Sequence, residues 1–306
     1  MIMEFELSIL GSSSAVPTSL RNTTAQVLKA FERFFLIDCG EGTQRQMRIY
    51  KIPFERINNI FISHLHGDHC YGLIALISSL GLKNRTSPLH IYAHRKLEKI
   101  INCQLDLLNV RLPYEIIFHE IDNTKTEVIY EDKRIYVTAF PLKHRDIPTS
   151  GFLFKEKEHL LNLKKDIVEA LEIPIAWRPR IARGEDYIDS DGKVYENNLL
   201  THTRKHSKSF AFCSDTAFTE KFIDTIKDVD LLYHEATYAN DNKVLAKKYY
   251  HSTAEQAAII AKKAGAKKLI MGHFSTRYKK TKMFEDDARA IFKESYAVND
   301  GDKFSF

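Results

Sequence analysis

The run His64-Leu65-His66-Gly67-Asp68-His69 follows the apolar segment Ile60-Phe61-Ile62 and precedes a second apolar stretch from Gly72 to Leu80. Three imidazoles and one carboxylate thus fall within six residues, where a buried strand gives way to a helix. A chain built this way needs a fold that presents strand-to-helix turns at one rim. Imidazole nitrogen and carboxylate oxygen are natural zinc ligands, and ligand pairs interleaved this closely serve two adjacent ions better than one. Small Gly67 lets the backbone turn between the pairs. A two-metal hydrolase is the first expectation, and a solvated histidine-rich loop is the alternative that the apolar flanks argue against.

With 306 residues and 44% apolar content, the chain can bury a large core as one big domain or two smaller ones. No apolar stretch approaches the roughly 18 residues that span a bilayer. The start Met1-Ile2-Met3-Glu4-Phe5-Glu6 reads as an acidic strand rather than a basic leader, so a cytoplasmic protein without a membrane partner is expected. Cys39, Cys70, Cys103 and Cys213 are scattered, which suggests neither a disulfide framework nor a thiolate knuckle. A formal charge of +5 suits a polyanionic partner without identifying one.

Period-2 patterns predict strands at 5–10, 24–31, 33–38, 59–63, 89–93, 114–120, 127–130 and 134–140, with helices at 43–50, 71–80 and 95–107. This alternation implies α/β layers. After residues 151–154 the character changes. Residues 155 to about 208 are charge-rich, carry Pro174 and Pro179 and show no sustained alternation, the signature of an insertion. The pattern returns with strands at 210–214, 230–234 and 268–272 and helices at 253–264 and 284–293. No internal repeat is visible.

One motif fills only part of two coordination spheres, so further ligands should stand at other strand ends. His144 follows the strand 134–140, Asp215 follows 210–214 through Ser214, and His273 follows 268–272. Asp215 also fits a helix N-cap.

The motif at 64–69, with His144, Asp215 and His273 in that order, resembles the metallo-β-lactamase superfamily. Within it the chain is similar to the short-form ribonuclease Z family, the tRNA 3′-processing endonucleases. The resemblance rests on Leu36-Ile37-Asp38-Cys39-Gly40-Glu41-Gly42-Thr43-Gln44, His234-Glu235-Ala236-Thr237, His251-Ser252-Thr253-Ala254-Glu255 and Gly272-His273-Phe274-Ser275-Thr276-Arg277-Tyr278. It runs nearly end to end.

This resemblance implies a four-layer αβ/βα sandwich over residues 1–306, with 155–208 as an inserted arm that forms a tRNA-binding exosite. It implies two zinc ions per subunit, one on His64, His66 and His144, the other on Asp68, His69 and His273, with Asp215 bridging. Diiron relatives carry Glu where this chain has His66, and imidazole there suits zinc better. Asp68 would also accept a proton from the attacking water, Glu235 would hold His251 protonated as general acid, and His234 would support the ligands.

Substrate contacts are expected from Ser275, Thr276 and Arg277 and, in the arm, from Arg178, Arg180 and Arg183 around Trp177, followed by Arg204, Lys205 and Lys208. The loop Pro17-Thr18-Ser19-Leu20-Arg21-Asn22 is similar to a family loop linked to the fate of the CCA end, with Ser19 in place of lysine. A Gly-Pro-rich arm motif found in many bacterial members is absent.

The resemblance also implies a homodimer and cleavage of precursor tRNA to a tRNA 3′-hydroxyl and a trailer 5′-phosphate. A hydrolase of small phosphodiesters or other small esters is the competing enzyme, and an RNA-binding protein on the same fold the non-enzymatic one.

Overall fold

The computed structural model describes residues 5–203 and 206–306; Met1 to Glu4 and the expected arm residues Arg204 and Lys205 lie outside the described residues. A first seven-stranded sheet holds β1 (Phe5–Gly11), β2 (Ala25–Ala30), β3 (Arg33–Ile37), β4 (Ile57–Phe61), β5 (Leu89–Ala93) and β6 (Ile116–Glu120), with β16 (Lys303–Ser305) beside β1. The second holds β7 (Glu127–Glu131), β8 (Ile135–Pro141), β9 (Ser150–Glu156), β12 (Ser209–Cys213), β13 (Leu231–Glu235), β14 (Leu269–Gly272) and β15 (Ser295–Ala297), in the order β15-β14-β13-β12-β9-β8-β7. Strands β3 to β6 run parallel, as do β12 to β15, so their C-terminal ends share a direction within each sheet.

Alternation along each strand builds the layers. Ile60 and Leu36 face α1 (Thr43–Ile49), α3 (Leu73–Leu82) and α4 (Lys96–Leu107), in one core with Met47, Leu76, Ile77 and Leu97. Phe35 and Phe61 face the opposite way. Their rings meet Phe154 at 5.5 and 5.3 Å, and Phe61 meets Phe152 at 5.7 Å, so aromatics fill the space between the sheets. Each such pair adds about 1 kcal/mol beyond area burial. On the far side, Leu232, Leu269 and Met271 pack under α8 (Lys243–Tyr249), α9 (Ala254–Ala264) and α10 (Lys282–Arg289). The α/β expectation therefore holds, as a four-layer sandwich.

Helix α9 shows how local sequence places a candidate site residue. Thr253 caps it, its hydroxyl accepting from Gln256 N while its own N–H donates to Gln256 Oε1 at 3.0 Å, and Gly265 ends it at φ 67°. Ala254, Ala257, Ala258, Ala261 and Ala264 are all buried, so the helix lies close against the sheet. His251 sits just before the cap.

Some boundaries differ from the sequence reading. The strand expected at 59–63 is Ile57–Phe61: Ile62 N–H still donates to the Tyr92 carbonyl, but Ser63 N–H turns to Asp38 Oδ1 as the chain heads for His64. The helix expected at 284–293 is Lys282–Arg289. Strands β15 and β16, three residues each, were unexpected; they are too short to carry a period and are defined by their partners.

The chain divides into two compact units, the smaller comprising residues 133–135 and 155–207. That unit has its own small core of Val168, Ile173, Ile181, Tyr187 and Leu200, with β10 (Tyr187–Ile188) paired to β11 (Val194–Tyr195) and short helices α5 (Lys165–Ala170), α6 (Arg178–Ala182) and α7 (Asn197–Leu200). Trp177 is half-buried there, edge-on to Tyr187 at 5.3 Å, with the Arg180 guanidinium 4.0 Å above its ring and 2.7 Å from Glu185. The tryptophan thus anchors the unit's own core. Arg178 and Arg183 are exposed. No helix among the described residues is long and apolar enough to cross a membrane.

Candidate metal centre

Seven side chains from four strand ends converge at one rim of the sandwich. The turn after β4 carries His64 and His66, and α2 (Gly67–Cys70) carries Asp68 and His69; His144 follows β8, Asp215 follows β12 and His273 follows β14. One set of donor atoms, from His64, His66, His144 and Asp215, lies within 4.8 Å, as does a second from Asp68, His69 and His273. Asp215 stands between them: Oδ1 is 3.0 Å from His273 Nε2 and 3.3 Å from His69 Nε2, while Oδ2 is 3.6 Å from His64 Nε2 and 3.7 Å from His144 Nε2.

The outer nitrogen of each buried imidazole is held from behind, which selects the tautomer that turns Nε2 inward. His69 Nδ1 donates to Asp38 Oδ2 at 2.7 Å, and His144 Nδ1 to the Tyr250 carbonyl at 3.2 Å. His273 Nδ1 donates at 2.9 Å to Thr237 Oγ1, which itself donates to Glu235 Oε2 at 2.6 Å. His64 Nδ1 meets Ser63 Oγ at 3.1 Å, whose hydroxyl donates to Asp38 Oδ2 at 2.9 Å. Among the described residues the inward nitrogens of His69 and His273 are buried and meet only the carboxylates of Asp215 and Asp68, without a well-formed hydrogen bond. His64 Nε2 and His66 Nδ1 face each other at 2.9 Å, too close for two bare lone pairs. Converging, pre-oriented lone pairs around a buried carboxylate fit divalent cations.

Electrostatics agree. Burial raises the Asp215 carboxyl, but His273, His69 and His64 outweigh it and hold the acid well below its usual range. Burial likewise works against Asp68, and His69 and His273 again reverse it. Burial lowers His273, yet Asp215 and Asp68 raise it to about 10. His64 is instead pushed well down, by burial first and then by His69. The cluster is thus a buried field of opposed, mutually stabilising charges.

The backbone is bent to reach this arrangement. Asp38, Asp215 and His273 stand at φ 56°, 55° and 60°, and Ala15 at 63°, all in the left-handed region. Ala15 N–H donates to Asp68 Oδ2 at 2.7 Å. Gly40 is required by closeness: a Cβ there would strike the Asp68 carbonyl and the Thr23 side chain.

Beside the cluster, His251 Nδ1 lies 2.9 Å from Glu235 Oε1. Glu235 is fully buried and also accepts from Thr216 N and Thr237 N. Burial opposes protonation of His251, but the Glu235 charge and hydrogen bond prevail and raise it above its ordinary value. His251 Nε2 is left to face the site. His234 departs from expectation: its Nδ1 turns to the Glu235 carbonyl at 2.7 Å, its Nε2 has no hydrogen-bond partner among the described residues, and its ring lies 6.3 Å from Phe222 in the core rather than bonded to the cluster.

Arg277 is exposed, its Nε 3.3 Å from Ser275 Oγ and its guanidinium 5.8 Å above the Tyr238 ring. Among the described residues it forms no ion pair. The loop 17–22 is pinned by Arg21 Nη1 to the Tyr278 carbonyl at 3.0 Å and by Asn22 N to Asp300 Oδ2 at 2.7 Å, leaving Ser19 and Leu20 exposed at its tip. Sequence reasoning assigned no role to Asp38, Thr237 or Ala15. Asp38 carried a positional signal, an acid directly after a buried strand, and Thr237 stood within the motif 234–237.

Residues 5–106 match the family described as Anti-Pycsar protein Apyc1, and residues 184–274 the beta-lactamase superfamily domain. A ribonuclease Z of Bacteroides fragilis is 45% identical over 94% of this chain and 95% of its own. One of Phocaeicola vulgatus is 43% identical over 99% and 97%. The crystal structure of the short form of human tRNase Z is similar with a TM-score of 0.70 at 25% identity, covering 98% of each chain. With this kinship over its whole length and the donor cluster at the rim of a four-layer sandwich, the chain belongs to the ribonuclease Z family of the metallo-β-lactamase fold.

Proposed function

We propose that the protein is the endoribonuclease that removes 3′ trailers from precursor tRNA, with two zinc ions per subunit, leaving a 3′-hydroxyl on the tRNA and a 5′-phosphate on the trailer. The observation that carries this reading is the Glu235–His251 pair beside two interlocked donor sets, which supplies a proton donor where a metal cluster alone would not. In this reading His64, His66 and His144 hold one cation, Asp68, His69 and His273 the other, and Asp215 both. Bound there, the ions polarise the phosphoryl oxygens and lower the pKa of an attacking water.

The chain's own groups do the rest. Asp68, steadied by the Ala15 N–H, accepts the water's proton and orients it for in-line attack. On the far side of the phosphate, His251 Nε2 gives a proton to the departing ribose 3′-oxygen, and Glu235 holds the imidazolium ready. Ser275 and Arg277 contact the strand near the cleaved bond. Arg178, Arg180 and Arg183 of the arm meet the tRNA backbone, Arg180 by giving up an exposed pair with Glu185 that is worth little in water. A homodimer and a cytoplasmic location complete the reading, and the four free cysteines fit a reducing compartment.

Purified protein incubated with a trailer-bearing tRNA should release the trailer at one position, and a chelator should stop it. Intact precursor with the zinc-loaded protein would reject the assignment. His251→Ala is expected to lower kcat about 10²- to 10⁴-fold with little change in KM, and Glu235→Gln to follow it part of the way. Single-turnover rates check this; a KM effect alone would remove His251 from the proton-donor role.

A further inference from the structure

Next to His251 the chain builds a rim that the reading above leaves unused. The turn after β8 closes through Ile147 N–H to the His144 carbonyl at 3.0 Å and sets exposed Arg145 at its tip with φ 48°. Facing it, α8 ends at Tyr250, which stands at φ 61°, ψ 43° and accepts the His144 Nδ1–H bond on its carbonyl. Such a helix end ordinarily takes glycine. Here it carries a tyrosine that is 38% exposed. The half-buried ring of Tyr249 lies 5.6 Å from the Arg145 guanidinium and 5.3 Å from Lys248 Nζ. Neither cation forms an ion pair among the described residues.

Two positive charges gathered on one aromatic ring, with an exposed ring alongside, match a ribose-phosphate strand: phosphates for the cations, a base for the ring. The proton donor decides which strand. His251 protonates the departing 3′-oxygen, so the nucleoside bearing that oxygen lies at His251, and Tyr250 is the next residue in the chain. A separate cleft of about 480 Å³, lined in part by Val16, His66, Asp68 and Tyr71, includes none of Arg145, Lys248, Tyr250 and His251.

We propose that Tyr250 stacks on the terminal base of the tRNA side of the cleaved bond, while Arg145 and Lys248, held on Tyr249, grip the backbone phosphates of that strand. This rests on the protein being a precursor-tRNA endonuclease with His251 as its acid.

A tRNA ending in the 3′-hydroxyl that cleavage creates fills only this side, and its inhibition of precursor cleavage is the measurement. Tyr250→Gly suits the left-handed backbone and keeps the carbonyl for His144, so it removes the ring alone. It should weaken inhibition by that tRNA about tenfold. Arg145→Ala and Lys248→Ala, both at exposed positions, should each lower the slope of log affinity against log salt by about 0.7 to 0.9. Zinc content and circular dichroism establish that each variant is folded and loaded. Unchanged inhibition and unchanged salt slopes in all three variants would overturn the proposal, as would a fall in kcat with affinity intact. Should the unaltered protein neither cleave precursor nor respond to this tRNA, the tRNA endonuclease reading itself fails.

Discussion

Asp215→Ala protein is expected to be purified without its cations and to cleave precursor tRNA at least about 10⁴-fold more slowly. In the proposed arrangement this carboxylate is the one group shared by both donor sets, within 3.7 Å of inward nitrogens from four histidines. Removing it takes away a ligand from each ion and the negative charge that offsets two ions in a buried pocket. A 10⁴-fold loss corresponds to about 5.5 kcal/mol of transition-state stabilisation, in keeping with several kcal/mol of charge stabilisation from the ions. Asp215→Asn keeps the shape but not the charge and should fall between the two. Metal per chain by plasma mass spectrometry and single-turnover rates on the same samples make the check. Stoichiometric metal with a rate within tenfold of the unaltered protein would mean that the bridge lies elsewhere.

The second large effect concerns the arm. Replacing residues 158–206 with a short Gly-Ser link leaves β9 and β12, which are neighbours in the sheet, and all seven proposed ligands. Cleavage of precursor tRNA should then fall about 10³-fold in kcat/KM. Three charge-assisted contacts at about 1.5 kcal/mol each account for a loss of that size. Hydrolysis of bis-p-nitrophenyl phosphate, which needs only the rim, should persist. Equal loss of both activities in a folded, metal-loaded variant would argue against the arm as an RNA-binding element. Equal retention would favour a hydrolase of small phosphodiesters.

Much of this was legible along the chain because the relevant signals are local. A strand records its period in a few residues, so β4, β8, β12 and β14 could be placed by pattern. The acids and imidazoles just beyond them then stood out by position. Asp38 stood at such a position too, yet nothing local says that it faces His69 rather than solvent. His234 shows the converse error, a histidine in the right motif whose ring turns to the core beside Phe222. For Trp177 the sequence left open whether a lone aromatic among arginines stacks on a base or anchors the arm, and it is the packing against Tyr187 that makes it an anchor.

The residue string by itself determined the α/β layering, the six-residue run of candidate ligands and the family kinship, since each is written in neighbouring positions. Tertiary structure alone decided which nitrogen of each imidazole turns inward, that a backbone N–H from Ala15 steadies Asp68, and that Asp300 near the C-terminus ties down Ser12 and Asn22 in the N-terminal loop. Those partners stand 53, 288 and 278 residues apart. A hydrogen bond forms over about 3 Å whatever the separation along the chain, so no local period can encode it.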